Sequence, residues 1–143
     1  MTDGAQLSSG VSVRRCATAS VTVNHRESDR YDELGGIALV ELRLRETFAG
    51  EMDGESDVRA LQVVRSDRSV NQVSLQTFRG SLHGRRGSFL LQGSGTVNDG
   101  KISARWTVVP ASGEGELSCL RGEGGFEGEF GRGSAATLEY WFD

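Results

Sequence analysis

The alternation of apolar and polar residues over residues 37–48 is the feature that most restricts the fold. One parity of this run is apolar: Ala38, Val40, Leu42, Leu44 and Phe48. The other parity is mostly charged or hydroxylated: Glu41, Arg43, Arg45 and Thr47. Because successive side chains of a strand point to opposite faces, the pattern predicts a β-strand with one buried and one solvent-exposed face.

Similar short runs recur along the rest of the chain. They predict strands at residues 17–24, 58–65, 73–78, 88–92, 101–109 and 135–142. No glycine-free stretch of twelve residues carries the apolar spacing of an amphipathic helix. We therefore predict an all-β protein with a single domain at residues 17–143, preceded by a flexible N-terminal segment at residues 1–16.

Glycine-rich turns in the sequence repeat with a recognisable form. The stretch TFAGEMDG at residues 47–54 is echoed thirty residues later by TFRGSLHG at residues 77–84, and more loosely around residues 115–122. Glycine supplies turn and bulge conformations at no steric cost. The single apolar residue between the glycines, Met52 or Leu82, is expected to plug one end of the core.

Successive short hairpins favour a sheet that closes on itself, because closure removes edge strands that would otherwise aggregate. The chain also has only one proline. We predict a closed antiparallel up-and-down barrel of about eight strands. Residues 24–36, NHRESDRYDELGG, are polar and unpatterned, which predicts a mobile loop over one barrel mouth.

Composition excludes several classes of function. A net charge of −4 and a pI near 5.2 give no positive field for nucleic acid. No segment has the apolar length of a secretory signal or a membrane span, so a cytoplasmic protein without a membrane partner is expected. Cys16 and Cys119 lack the spacing of a redox or metal site and are interpreted as buried or inert thiols.

Two longer stretches resemble a known family. They are GSLHGRRGSFLLQGSGT at residues 80–96 and WTVVPASGEGELSCLRGEG at residues 106–124, supported by TFAGEMDGES at 47–56 and LEYWF at 138–142. They resemble the bacterial family called domain of unknown function 3224, which is similar to the allene oxide cyclase-like barrels. The resemblance implies an eight-stranded antiparallel barrel with a central cavity, and it implies no activity.

The sequence also departs from that family. The resemblance implies a Glu where this chain has Gln76, and a His where it has Gly93. A Glu–His pair that could exchange a proton is therefore missing at these positions.

Recognised catalytic signatures and cofactor motifs are missing from the sequence, so neither a cofactor nor a metal is expected. His25 is placed in a loop and His83 in a solvated turn, and the two do not make a metal site. The run GEGGFEGEFGRG at residues 122–133 alternates glycine with glutamate, which would repel phosphate. It is interpreted as a flexible hairpin.

Several side chains are candidates for the barrel interior. Glu46 lies on the apolar parity of its strand, where it needs a partner or a raised pKa, unless the strand bends and leaves it at the rim. Gln76 and Gln92 would orient a ligand if they point inward. Four aromatic residues would shape a substrate or pack the core: Phe48, Phe89, Trp106 and Tyr140.

Two hypotheses follow for the function. The first is a cofactor-free cyclase or isomerase that folds a flexible hydrophobic, polyketide- or oxylipin-like substrate, with Glu46, Gln76 and Gln92 as the catalytic candidates. The second is a lipocalin-like binding protein without catalysis; a fully packed barrel that acts through its surface stays open. Ile37 and Leu39 on the outer face could seed a homodimer.

Overall fold

Nine β-strands form the secondary structure of the computed structural model, which describes residues 13–129 and 133–143. The strands are β1 Arg15–Leu34, β2 Ile37–Gly50, β3 Met52–Val64, β4 Val70–Leu82, β5 Arg85–Asn98, β6 Lys101–Val108, β7 Glu114–Gly115, β8 Leu120–Glu129 and β9 Gly133–Phe142. The predicted all-β class is confirmed. Residues 1–12 of the predicted flexible segment lie outside the described residues, whereas Arg15 and Cys16 already belong to β1.

The strands close into a barrel of eight. Each neighbour pairs antiparallel, and the ring runs β1, β2, β3, β4, β5, β6, β8, β9 and back to β1. The two-residue β7 adds only to the lower part of β5. Every ring neighbour is also the next long strand in sequence, so the predicted closed up-and-down barrel is confirmed.

The strands are strongly staggered around the ring. Following directly opposed residues from Val21 through β9, β8, β6, β5, β4, β3 and β2 returns to β1 at Glu33, twelve residues further along. Such a stagger requires steeply tilted strands. It also leaves β1 without a β9 partner beyond Val21, where β1 pairs with β2 alone among the described residues.

The predicted mobile loop at residues 24–36 is wrong. β1 continues to Leu34 and turns through Gly35 and Gly36, both with positive φ, into β2. Register shifts between Val23 and His25, and again between Arg30 and Asp32, interrupt the side-chain alternation of β1. Both faces of this segment are solvent-exposed, so pairing with β2 stabilises it without an apolar pattern in the sequence.

The lower end of the barrel, where the turns at residues 50–52 and 82–85 lie, is tightly packed. Phe48 meets Phe78 edge-on with 5.4 Å between ring centroids, and Phe78 stacks on Phe89 at 5.0 Å. Three fully buried side chains close this end: Met52, Leu82 and Leu117. The predicted plug by Met52 and Leu82 is confirmed.

A row of glycines lets the sheet bend above this plug. Gly54, Gly80, Gly87 and Gly115 lie directly opposite one another on β3, β4, β5 and β7. A Cβ at Gly80 would lie 2.1 Å from the carbonyl oxygen of Asp53, closer than any side chain tolerates. The glycines of this row therefore permit close approach of neighbouring backbones.

The glycine-rich run at residues 122–133 is mostly paired strand. β8 extends from Leu120 to Glu129 and pairs with both β6 and β9. Glu129 opposes Gly133, so a β8–β9 hairpin is present, and residues 130–132 at its tip lie outside the described residues. Phe126 supplies an inward side chain, and it packs partly buried against the core.

Candidate functional site

The upper half of the barrel interior carries smaller and more polar side chains than the lower half. The contiguous core cluster includes Trp106 but leaves out Leu42 and Ala104, which are buried above it. Small or polar side chains dominate the inner face here, and several are only half-buried. We call this part of the inner face the upper chamber and define it by six residues: Leu42, Ala60, Gln62, Gln72, Ser74 and Ala104.

Two polar residues of the upper chamber are hydrogen-bonded to each other. The Gln62 side-chain amide donates to the Gln72 side-chain carbonyl at 2.9 Å. Both residues share the inward parity of Ala60 and Gln76, which are buried. Water therefore reaches the inner face at the top of the barrel, in contrast to the sealed lower end.

Glu46 lies at the boundary between the chamber and the packed core, two residues before Phe48 on the inner face of β2. It is 8% exposed, so the predicted inward orientation is confirmed and the alternative of a rim position is wrong. Burial raises the pKa of its carboxyl to about 7, and a hydrogen bond from the Gln76 side chain partly opposes this rise. Near neutral pH this group can therefore either donate or accept a proton.

Gln76 and Ser56 support the Glu46 carboxyl from the next two strands. Gln76 is 6% exposed and Ser56 is 1% exposed, and the Gln76 Nε2 donates to the Ser56 Oγ at 2.7 Å. An amide carries two donor hydrogens, so the same nitrogen can serve both Ser56 and Glu46. The Glu implied by the resemblance at position 76 is thus replaced by an amide that contacts a carboxyl from β2.

Trp106 carries an unsatisfied donor. The predicted inward orientation is confirmed, since Trp106 is 4% exposed and its ring lies 6.2 Å from Phe48 and 5.4 Å from Phe126, centroid to centroid. Its Nε1 is the one buried side-chain polar atom among the described residues without a hydrogen-bond partner. A buried N–H without an acceptor costs about 1–3 kcal/mol.

The last described pair between β1 and β9 is Val21 with Ser134, and residues 130–132, which precede β9, lie outside the described residues. The next inward residue of β1, Val23, lies directly opposite Glu46. Val23 is 50% exposed although its partner is buried.

Gln92 does not join this site. It is exposed on the outer face of β5, because Phe89 and Leu91 fix the inward parity of that strand. The prediction that it orients a ligand inside the barrel is wrong for this reason. Phe89 and Tyr140 do face inward, at 1% and 2% exposure, but they belong to the packed core cluster.

The His83 side chain contacts Tyr140 and Glu51, which the sequence did not indicate. Its ring is 17% exposed and connects two other groups at the lower end of the barrel, so the solvated turn residue is a wrong prediction. Its Nδ1 lies 2.6 Å from the Tyr140 hydroxyl, and its Nε2 lies 3.4 Å from the Glu51 carboxylate. Two hydrogen bonds from Thr18 lower the pKa of Glu51, whereas burial raises the pKa of the Tyr140 phenol.

The remaining candidates are dispersed over the surface. Cys16 and Cys119 are free and exposed, so of the two alternatives, buried or inert, burial is wrong and the inert thiol stays a prediction. His25 belongs to the outer face of β1, where its Nε2 lies 2.6 Å from the Glu27 carboxylate.

Within the described ranges, no cluster of three His, Cys, Asp or Glu side chains could hold a metal ion. No described helix is long and apolar enough to cross a membrane.

The outer face carries an apolar groove of about 990 Å³ across β3 to β6. Leu61, Val73 and Leu75 line it and are 48%, 57% and 61% exposed. The sequence predicted that Ile37 and Leu39 could seed a dimer contact. Ile37 is 37% exposed, and Leu39 is half-buried. Trp106, whose buried Nε1 lacks a hydrogen-bond partner, also lines this groove.

Comparison with known proteins gives the family. A protein of unknown function from the DUF3224 family of Shewanella oneidensis MR-1, solved at 1.84 Å resolution, superposes with a TM-score of 0.74 at 28% identity, over 93% of this chain and 99% of that chain. No curated protein matches the chain. The DUF3224 family, described as a protein of unknown function, matches residues 17–141, from β1 to β9. The chain therefore belongs to the DUF3224 family.

Proposed function

We propose that the protein binds an apolar small molecule in the upper chamber and that Glu46 exchanges a proton with it, as a cofactor-free isomerase or cyclase. The observation that carries this proposal is the buried Glu46 carboxyl, whose pKa burial raises to about 7 beside the packed core. Carboxyl groups tuned toward neutrality are suited to general acid–base catalysis. The unpaired Nε1–H of Trp106 adds a donor that a substrate oxygen would satisfy.

Proton transfer needs few groups in such a site. The Glu46 carboxylate would take a proton from a carbon next to a carbonyl, leaving the electron pair on an enolate. The same carboxyl would return the proton to a second carbon, so that the double bond moves and Glu46 is regenerated. The Gln76 amide would hold the carboxyl in place, while Phe48 and Trp106 would fix the substrate in one reactive conformation.

Binding without chemistry is the second candidate. The buried polar side chains are Glu46, Ser56 and Gln76 among the described residues, so the interior supplies one titratable group there. A lipocalin-like carrier needs only the chamber and its hydrogen-bonding groups. The two candidates share the site and differ in whether Glu46 titrates during turnover.

The assignment of the fold to a group of known barrels is part of the same proposal. We place the barrel with the allene oxide cyclase-like group, acting on a polyketide- or oxylipin-like substrate in the cytoplasm. Support comes from the eight-stranded antiparallel ring and from the interior carboxyl. Fold analogy by itself does not establish chemistry.

Glu46→Gln separates the two candidates. The probe is a β,γ-unsaturated cyclic ketone, whose conversion to the conjugated enone is followed by ultraviolet absorbance. Catalysis predicts that Glu46→Gln lowers the rate at least about 100-fold while the ketone still binds. Binding is read from Trp106 fluorescence in a Trp141→Phe background, since the chain has two tryptophans. Equal rates for both proteins, with binding intact, would favour the carrier.

A further inference from the structure

We infer that the outer face of β2 to β6 is a self-association surface, on which two copies of this chain pack face to face about a two-fold axis parallel to β4. The inference is independent of the proposed interior site. Three features of this face carry it: its exposed apolar side chains, the order of residues across its strands, and an arginine without a partner.

Apolar side chains are concentrated on this one face of the barrel wall. Leu61, Val73 and Leu75 are 48%, 57% and 61% exposed, and all three line the groove of about 990 Å³. The outward positions of β8 and β9, on the far wall, include three exposed acids instead: Glu123, Glu127 and Glu139. A contiguous apolar patch with a polar rim is typical of a protein–protein contact.

The residues across this face form two rows that a two-fold axis reverses. Directly opposed residues run Glu41, Leu61, Val73, Ser94, Arg105 in one row and Arg43, Arg59, Leu75, Gln92, Thr107 in the next. Both rows are centred on β4, so an axis parallel to β4 places Val73 on Val73 and Leu75 on Leu75 of the second copy. Every other pair that this axis forms within the two rows is either opposite in charge or includes an uncharged residue. The strands of the two copies are then nearly aligned, as in other face-to-face packings of twisted sheets.

Arg105 supplies the charge that this arrangement needs. It is exposed, and among the described residues it has no ion-pair partner. At the opposite end of its row, Glu41 belongs to a cluster of carboxylates and guanidiniums joined by contacts of 3.0 to 3.3 Å: Glu27, Asp29, Glu41, Arg43 and Arg59. Three carboxylates and two guanidiniums leave this cluster with a formal charge of −1, which Arg105 of the second copy neutralises. Because the axis is two-fold, this contact forms twice.

The size of the face determines the strength expected of the dimer. The five strands β2 to β6, at a spacing of about 4.8 Å, and about seven residues of each strand, at about 3.4 Å, give roughly 600 Å² per copy. Stable interfaces bury about 800 Å² per partner, and weaker, reversible ones bury less. We therefore expect a dimer that dissociates in the micromolar range, with affinity from the apolar centre and orientation from the two charge contacts.

Sedimentation velocity of the full chain at about 5–500 µM tests the inference, and the wild type should shift from monomer to dimer over this range. Arg105→Glu and Glu41→Arg should each weaken the dimer at least about tenfold, because two like-charge contacts replace two attractive ones. A one-to-one mixture of the two variants should regain the wild-type affinity within about threefold. Each mixed dimer contains one native pair and one reversed pair of opposite charges, which only a two-fold contact between positions 41 and 105 provides.

Leu75→Glu tests the apolar centre, because it places two carboxylates on the axis, and it should leave the protein monomeric at every concentration. Leu34→Glu is the matched control, since Leu34 is 81% exposed at the end of β1, outside this face, and the variant should dimerise like the wild type. Far-ultraviolet circular dichroism confirms that each variant is folded. A wild type that stays monomeric up to about 500 µM would overturn the inference. A mixture of folded Arg105→Glu and Glu41→Arg that is no more dimeric than either variant alone would also overturn it.

Discussion

Glu46→Gln should remove a pH dependence from the stability of the fold. The pKa of the Glu46 carboxyl is about 7 in the folded protein, against an ordinary value of 4.5 that we assign to the unfolded chain. The folded protein therefore binds the Glu46 proton more tightly than the unfolded chain does. The free energy of unfolding falls as the pH rises from 4.5 through about 7. At about 1.4 kcal/mol for each pKa unit, the ionised carboxyl costs about 3 kcal/mol above this range.

Urea unfolding at about pH 5 and about pH 8 measures this cost. Other titrating groups contribute to both proteins, so the informative quantity is the difference between wild type and Glu46→Gln at each pH. Glu46→Gln keeps the size of the side chain, and the variant should gain about 2 kcal/mol relative to wild type between the two conditions. Glu127→Gln, at an exposed position on β8, is the control and should follow the wild type. Parallel pH profiles for wild type and Glu46→Gln would refute the reasoning.

Two further substitutions test the lower end of the barrel. Gly80→Ala should cost at least about 2 kcal/mol in urea unfolding, because its Cβ would lie 2.1 Å from the Asp53 carbonyl oxygen. Gly84→Ala, with no atom within 4 Å and a φ of +83°, should cost only about 1 kcal/mol, and equal losses would contradict the role of the glycine row. Tyr140→Phe removes the 2.6 Å hydrogen bond to His83 and should lower the Tm by roughly 3 °C. An unchanged Tm would show that this bond adds nothing to stability.

Alternation predicted the inner face wherever a strand is regular. Phe48 and Glu46 share one parity of β2, and both are buried as expected. The same reasoning failed for Gln92, where a short run left the parity undetermined by one residue. Phe89 and Leu91 resolve it only once the pairing with β4 and β6 is known. Side-chain direction in a short strand is thus fixed by its partners rather than by its own residues.

Strands without an apolar face were predicted poorly. Residues 24–34 are exposed on both faces, so no burial pattern marks them. Residues 122–129 alternate glycine with glutamate, and their neighbours approach too closely for larger side chains. A Cβ at Gly125 would lie 2.0 Å from the Ala104 carbonyl oxygen. Close packing of backbones is a tertiary property that residue propensities do not record.

The His83 contacts could not be read from the sequence, because Glu51, His83 and Tyr140 are far apart along the chain. Closure of the barrel brings the β2–β3 and β4–β5 turns beside the last strand. The signal that was available is the repeat itself, which places Glu51 and His83 at neighbouring turns on one end of the sheet.

The edge of β1 beyond Val21, which has no partner among the described residues of β9, has a consequence for how copies of this protein meet. An open strand edge is a template on which a second chain can add, as in fibres. If two such edges pair antiparallel about Ser28, Arg26 of each copy faces Arg30 of the other, and Glu27 faces Asp29. Like charges in direct opposition destabilise such a ladder. In this register the order of charges along β1 therefore opposes edge-to-edge pairing of two molecules.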